Sequence, residues 1–191
     1  MRIDEVLSEV SRRDFLKGMG SLGAGVLPKL PDIEKELPSP PPPKKIDPIH
    51  QKMASKIVDK YGIDDKLATK VVDLAHKHEK SGFPTAKDIL AIIGIESSFN
   101  PNAVSRLQTD PAVGLMQVRP AVWNMNPSDL KDIEKQIEVG SDILHQYYQK
   151  LRNKNATLSA YNVGLTRYLN GERPQNYLNK YHQELKMYSG I

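Results

Sequence analysis

The chain has 191 residues, 39% of them hydrophobic, a formal net charge of +4 and no cysteine; that length suits one domain plus appendages. Zero cysteines exclude disulfides, thiolate metal sites and a cysteine nucleophile, and leave the compartment open. The charge divides as +1 over residues 1–45 and +3 over the rest, a mild balance that suits an anionic polymer and is far too weak to point to nucleic acid.

The first stretch reads as an address. "SRRDFLKG", residues 11–18, resembles the twin-arginine export signal at every position, with Arg12 and Arg13 as the pair and Phe15, Leu16 and Lys17 behind it. A weakly apolar, glycine-rich run of ten uncharged residues follows, "GMGSLGAGVL", without an Ala-x-Ala cleavage site after it. Residues 1–30 are therefore expected to be a signal segment that exports the chain to the periplasm or cell envelope. Residues 31–48 read as a linker: the stretch from Pro28 to Pro48 carries eight prolines, and Pro40 to Pro43 favour an extended polyproline spacer over a buried core. No apolar run approaches the ~18 residues that would cross a bilayer.

From Ile49 onward the periodicity predicts helix throughout, over about 49–61, 64–80, 85–98, 127–151 with a break near Gly140, 155–169 and 174–188. Asp64 and Thr85 are the expected N-caps, and Gly62 and Gly82 the expected stops. Residues 103–118 allow a short irregular hairpin. His76 and His78 lie two apart on a polar helix and read as a solvated pair, since no further ligand accompanies them; no metal or other cofactor is expected.

The third helix carries the chemistry. Ile89, Ile92, Ile93 and Glu96 fall at i, i+3, i+4, i+7, so a carboxylate continues an apolar stripe. Such a residue is either a helix-end Glu whose head reaches water, or a half-buried acid whose pKa rises until it can donate a proton. Companion blocks decide the reading. "ESSFNPNAVS" at 96–105, "GLMQV" at 114–118 and "SAYNVG" at 159–164, in this order, resemble the soluble (SLT-type) lytic transglycosylases of the lysozyme-like superfamily, over about residues 50–185.

The resemblance implies a mainly α, lysozyme-like (goose-type) helical domain with a cleft, spanning residues 49–191. It implies an enzyme acting as a monomer on peptidoglycan glycan strands, which splits the β-1,4 bond between MurNAc and GlcNAc and leaves 1,6-anhydro-muramyl ends. Glu96 would be the general acid and then the base. Ser105, Gln117, Tyr161, Asn162 and Tyr177 would contact the sugar, with Tyr161 near the acid and Asn162 near an acetamido group. Ser97 would orient locally, Gly114 would allow close backbone approach, and Met116 and Phe99 would pack. Ala160 and Gly164 read as close-packing positions.

The chain departs from that family's pattern in three places. The loop "RLQTDPAV" before Gly114 is longer than usual, Arg119 stands where many members carry methionine, and Arg173-Pro174 replaces a common Glu-Thr before the late tyrosine. These bear on the shape of the glycan subsites. Two rival functions stand beside the first. One is a hydrolytic muramidase with Asp110 as a second carboxylate, although Asp110-Pro111 reads as a turn. The other is a non-catalytic glycan-binding or assembly module of a phage particle or secretion machine, for which an intact Glu96, Tyr161 and Asn162 would be superfluous.

Overall fold

The computed structural model describes residues 47–191; the twin-arginine-like segment and nearly all of the proline-rich stretch lie outside it. Seven α-helices account for most of the described residues: α1 Pro48–Tyr61, α2 Asp65–Lys77, α3 Ala86–Ser97, α4 Ile133–Leu151, α5 Lys154–Val163, α6 Leu165–Leu169 and α7 Gln175–Lys186. Among the described residues there is no strand, only isolated bridges joining Val104 to Val113 and Val113 to Val118. The expected hairpin at 103–118 is thus a loop pinned at two points. No helix among these residues is long and apolar enough to cross a membrane.

Local chemistry sets most of the helix starts. Asp47 accepts the amide of Ile49 at 2.8 Å and Pro48 occupies the first turn, where its missing N–H costs nothing. The domain therefore begins inside the stretch read as linker. Asp64 caps α2 through the amides of Lys66 and Leu67. Thr85 and Asp88 cap α3 reciprocally, each side chain accepting the other's backbone N–H, which satisfies two donors a helix start would otherwise orphan.

Tertiary packing redraws other boundaries. α2 stops at Lys77 rather than running to residue 80, and Gly82 lies in the following loop against Tyr148. The long helix expected over 127–151 is interrupted at Asp132, not Gly140. Residues Pro127–Lys131 form a short 3-10 turn, and Asp132 then caps α4 through the amide of Lys135. α4 runs unbroken through Gly140, whose missing side chain makes room for Met116: a Cβ there would stand 2.4 Å from the Met116 sulfur. The helix expected over 155–169 divides at Gly164, whose φ of 87° and ψ of 145° no L side chain adopts comfortably. A Cβ at Gly164 would meet nothing within 4 Å, so its role is conformational and it is not a close-packing position. Ala160, by contrast, is fully buried.

α3 forms the centre. It packs against α2 on one side and α7 on the other, while α5 bridges α4 and α7. Ile89, Leu90, Ala91, Ile92 and Ile93 are all fully buried, so this helix is enclosed all round rather than carrying the single apolar stripe that its spacing suggested. Phe99, Leu115 and Met116 join the same core. Asp88, buried beneath α7, accepts hydrogen bonds from Thr85 and Tyr181, which ties the start of α3 to the last helix. His76 and His78 are not a solvated pair. His76 stacks on His50 with ring centroids 4.0 Å apart, and burial lowers its pKa. His78 is largely covered and meets Glu134 at 3.2 Å.

Candidate active site

The penultimate residue of α3 is Glu96. Its helix is held at the N-terminus by the Thr85–Asp88 caps and along its length by buried isoleucines, so the carboxylate emerges from a rigid element. Beside it opens a cleft of about 600 Å³ lined by Ile95, Glu96, Asn162, Arg173, Pro174, Gln175, Asn176, Tyr177 and Lys180. The end of α3, the end of α5 and the first turns of α7 thus supply its walls. Glu96 is the one carboxylate among these residues.

Burial pushes the Glu96 carboxyl up from its ordinary 4.5 to about 7, against the opposing effect of a hydrogen bond from Tyr177. The Tyr177 hydroxyl donates to Oε1 at 2.7 Å. The two effects have opposite signs because desolvation disfavours the charged form while a donor favours it; here desolvation wins. A carboxyl poised near neutrality can both give up and take back a proton.

Two tyrosines back this acid. Tyr177 is buried, and Tyr161 donates to the Met116 carbonyl at 2.7 Å. Burial and the neighbouring Glu96 carboxylate raise both phenols well above their ordinary range, so both remain neutral donors. Asn162, next along α5, is exposed and lines the cleft, and its side-chain amide makes no hydrogen bond among the described residues.

The other residues singled out in the sequence sit differently. Ser97 donates back to the Ile93 carbonyl at 3.1 Å, a local helix-end bond. Ser105 accepts the Ala112 amide at 2.8 Å. Gln117 donates to the carbonyls of Ala103 and Gly114 at 3.2 and 3.0 Å. Ser105 and Gln117 brace the loop between α3 and α4 and do not line the Glu96 cleft. Met116 is core. Gly114 does permit a close approach, but the approaching group is protein: a Cβ there would stand 2.4 Å from the Gln136 amide carbon.

That glutamine escaped the sequence reading. Gln136, buried on α4, accepts the Leu115 amide at 2.7 Å and donates to the carbonyls of Pro101 and Leu130 at 3.0 and 2.8 Å. One side chain thereby clamps both ends of the loop that supports Tyr161 through Met116. The only available signal was a polar residue on the apolar side of an amphipathic helix. Asp110, the candidate second carboxylate, is anchored elsewhere. Its Oδ1 accepts the Ala121 amide at 2.8 Å and Arg119 stands 3.3 Å from its Oδ2.

A protein-family model described as the transglycosylase SLT domain matches residues 74–183, more than half of the chain, and takes in Glu96, the loop, Tyr161, Asn162 and Tyr177. No curated protein matches the chain.

Proposed function

Because the chain belongs to the SLT transglycosylase family, whose members act on peptidoglycan glycan strands, we propose that it cleaves the β-1,4 MurNAc–GlcNAc bond lytically and leaves 1,6-anhydro-muramyl ends. The observation that carries this reading is one partly buried carboxyl, Glu96, raised to about 7 in a cleft where it is the one carboxylate among the described lining residues.

Tyr177 occupies Oε1, which leaves Oε2 to carry the acid proton. Protonated Glu96 gives that proton to the glycosidic oxygen as the bond to C1 breaks and positive charge develops on the muramyl ring. The ionised carboxylate then takes the proton of the muramyl C6 hydroxyl, whose oxygen attacks C1 and closes the anhydro ring. Proton balance is restored and no water is consumed. Asn162 and Asn176, with amides lining the cleft, offer hydrogen bonds to acetamido and hydroxyl groups. An inverting hydrolase would need a second carboxylate roughly 6.5–9.5 Å from the acid to hold water, and the tethering of Asp110 to Ala121 and Arg119 weighs against that role. The Arg12–Arg13 segment supports an envelope location for such an enzyme.

Digestion of purified peptidoglycan, with the products weighed, tests the reading. The expected muropeptides are lighter by one water than muramidase products and resist borohydride reduction. Glu96→Gln should bind glycan yet lose on the order of 10³-fold in rate, while Asp110→Asn keeps most activity. Reducible muramyl ends together with a dead Asp110→Asn enzyme would leave a lysozyme-type hydrolase instead.

A further inference from the structure

The cleft beside Glu96 carries two cations that the proposed chemistry does not use. Arg173 and Lys180 both line it, one at the entry to α7 and one on that helix. Burial and the Tyr177 bond are what set the Glu96 carboxyl, not these two charges. Nor are they committed within the protein. Among the described residues neither has a carboxylate within ion-pair distance.

The nearest acid in sequence to Arg173 is Glu172, and it is already held in a fork by Arg167, with both contacts at 2.7 Å. Arg173 is positioned rather than neutralised. One of its terminal nitrogens donates to the carbonyls of Tyr168 and Glu172 at 2.6 and 2.9 Å, and its guanidinium lies 4.1 Å from the centre of the Tyr168 ring. Carbonyl bonds and ring stacking fix the plane of the group but leave its charge and remaining donors available. With Glu96 protonated, the cleft is therefore net positive.

The geometry points to Arg173 and Lys180 as specificity residues that recognise a carboxylate carried on the lactyl arm of the muramyl residue bound in the Glu96 cleft. This rests on the peptidoglycan-cleaving reading. The ring of a muramyl residue is otherwise that of N-acetylglucosamine; the lactyl arm alone brings a carboxyl, either free or extended by a stem peptide with carboxylates of its own. A planar guanidinium matches a carboxylate in two-point geometry, and the flexible Lys180 ammonium, seven positions on in the second turn of α7, follows a group whose position varies. Exposed pairs of this kind contribute little affinity each, and their effect is on selection between substrates.

The test uses the full chain and three preparations of one glycan: stripped of stem peptides so that the lactyl carboxyls are free, stripped and then amidated with methylamine so that they are neutral, and peptide-bearing. Binding and kcat/KM are measured on each for the wild type, Lys180→Gln, Arg173→Gln and the double variant, with melting temperatures to check folding. The wild type should favour a carboxylate-bearing glycan over the amidated one by about tenfold, and the double variant should erase most of that preference. Loss on the stripped glycan identifies the free lactyl carboxyl, and loss only on the peptide-bearing glycan identifies the stem peptide. Lys180→Gln, which breaks no side-chain hydrogen bond among the described residues, carries the test if Arg173→Gln loosens the turn before α7. Equal binding and equal rates on all three preparations, unchanged by the variants, would overturn the proposal. Carboxylate-dependent binding without any cleavage would uphold it and sink the lytic reading.

Discussion

Replacing Glu96 by Gln should stabilise the protein, and only above a defined pH. A carboxyl moved from 4.5 to about 7 by burial is a group the folded state prefers to keep protonated. Below pH 4.5 it is neutral in folded and unfolded chains alike, and Gln, an uncharged near-isostere, changes little. Between 4.5 and 7 the unfolded chain ionises first, so the wild type loses stability as pH rises; above 7 the loss is complete. Each pKa unit corresponds to about 1.4 kcal/mol, so the full penalty is about 3 kcal/mol. The Tyr177 bond already opposes it within that value and does not need separate subtraction. Urea unfolding of wild type and Glu96→Gln at pH 4 and pH 8 measures the difference directly. The variant should be near wild-type stability at pH 4 and more stable by about 3 kcal/mol at pH 8. An equal effect at the two pH values would refute the claim that Glu96 is desolvated in the folded protein, and with it the basis for a neutral-pH acid.

Tyr177→Phe removes the one group that favours ionised Glu96, so the alkaline limb of the kcat/KM profile should move up by about one pH unit; a downward move would contradict the hydrogen-bond assignment. Gln136→Leu strands the Leu115 amide and the carbonyls of Pro101 and Leu130. It should cost about 3 kcal/mol by denaturant unfolding, with the 101–118 amides losing hydrogen-exchange protection before α3 does. If Arg12 and Arg13 address the chain to the twin-arginine translocon, changing both to Lys should hold the protein in the cytoplasm, and fractionation that finds export intact in a strain lacking the translocon would remove that reading.

The helical class, the caps at Asp64 and Thr85, and Glu96 at the end of an apolar helix were all legible in the order of residues. These are properties of neighbouring residues: a capping side chain reaches two or three positions, and a periodic stripe is visible within a dozen. Three spaced blocks also brought Glu96, Tyr161 and Asn162 together, and the family's late tyrosine added Tyr177. What the sequence could not supply was any relation across the chain. Tyr177 reaches Glu96 over 81 positions, and Gln136 grips Pro101 over 35. Neither bond leaves a periodic trace, because hydrogen bonds between distant elements depend on how helices cross and not on spacing along one of them. The same reason separates Ser105 and Gln117 from the cleft: as residue types they suit a sugar, but the folded loop uses their polar atoms to hold itself together. The breaks at Asp132 and Gly164 are local, a cap and a backbone angle, but hydrophobic periodicity does not register either. Most of all, the acidity of Glu96 belongs to the tertiary structure. An isolated helix would leave that carboxyl in water near 4.5, and only burial in the folded protein, where α7 packs against α3, desolvates it enough to hold a proton near neutrality.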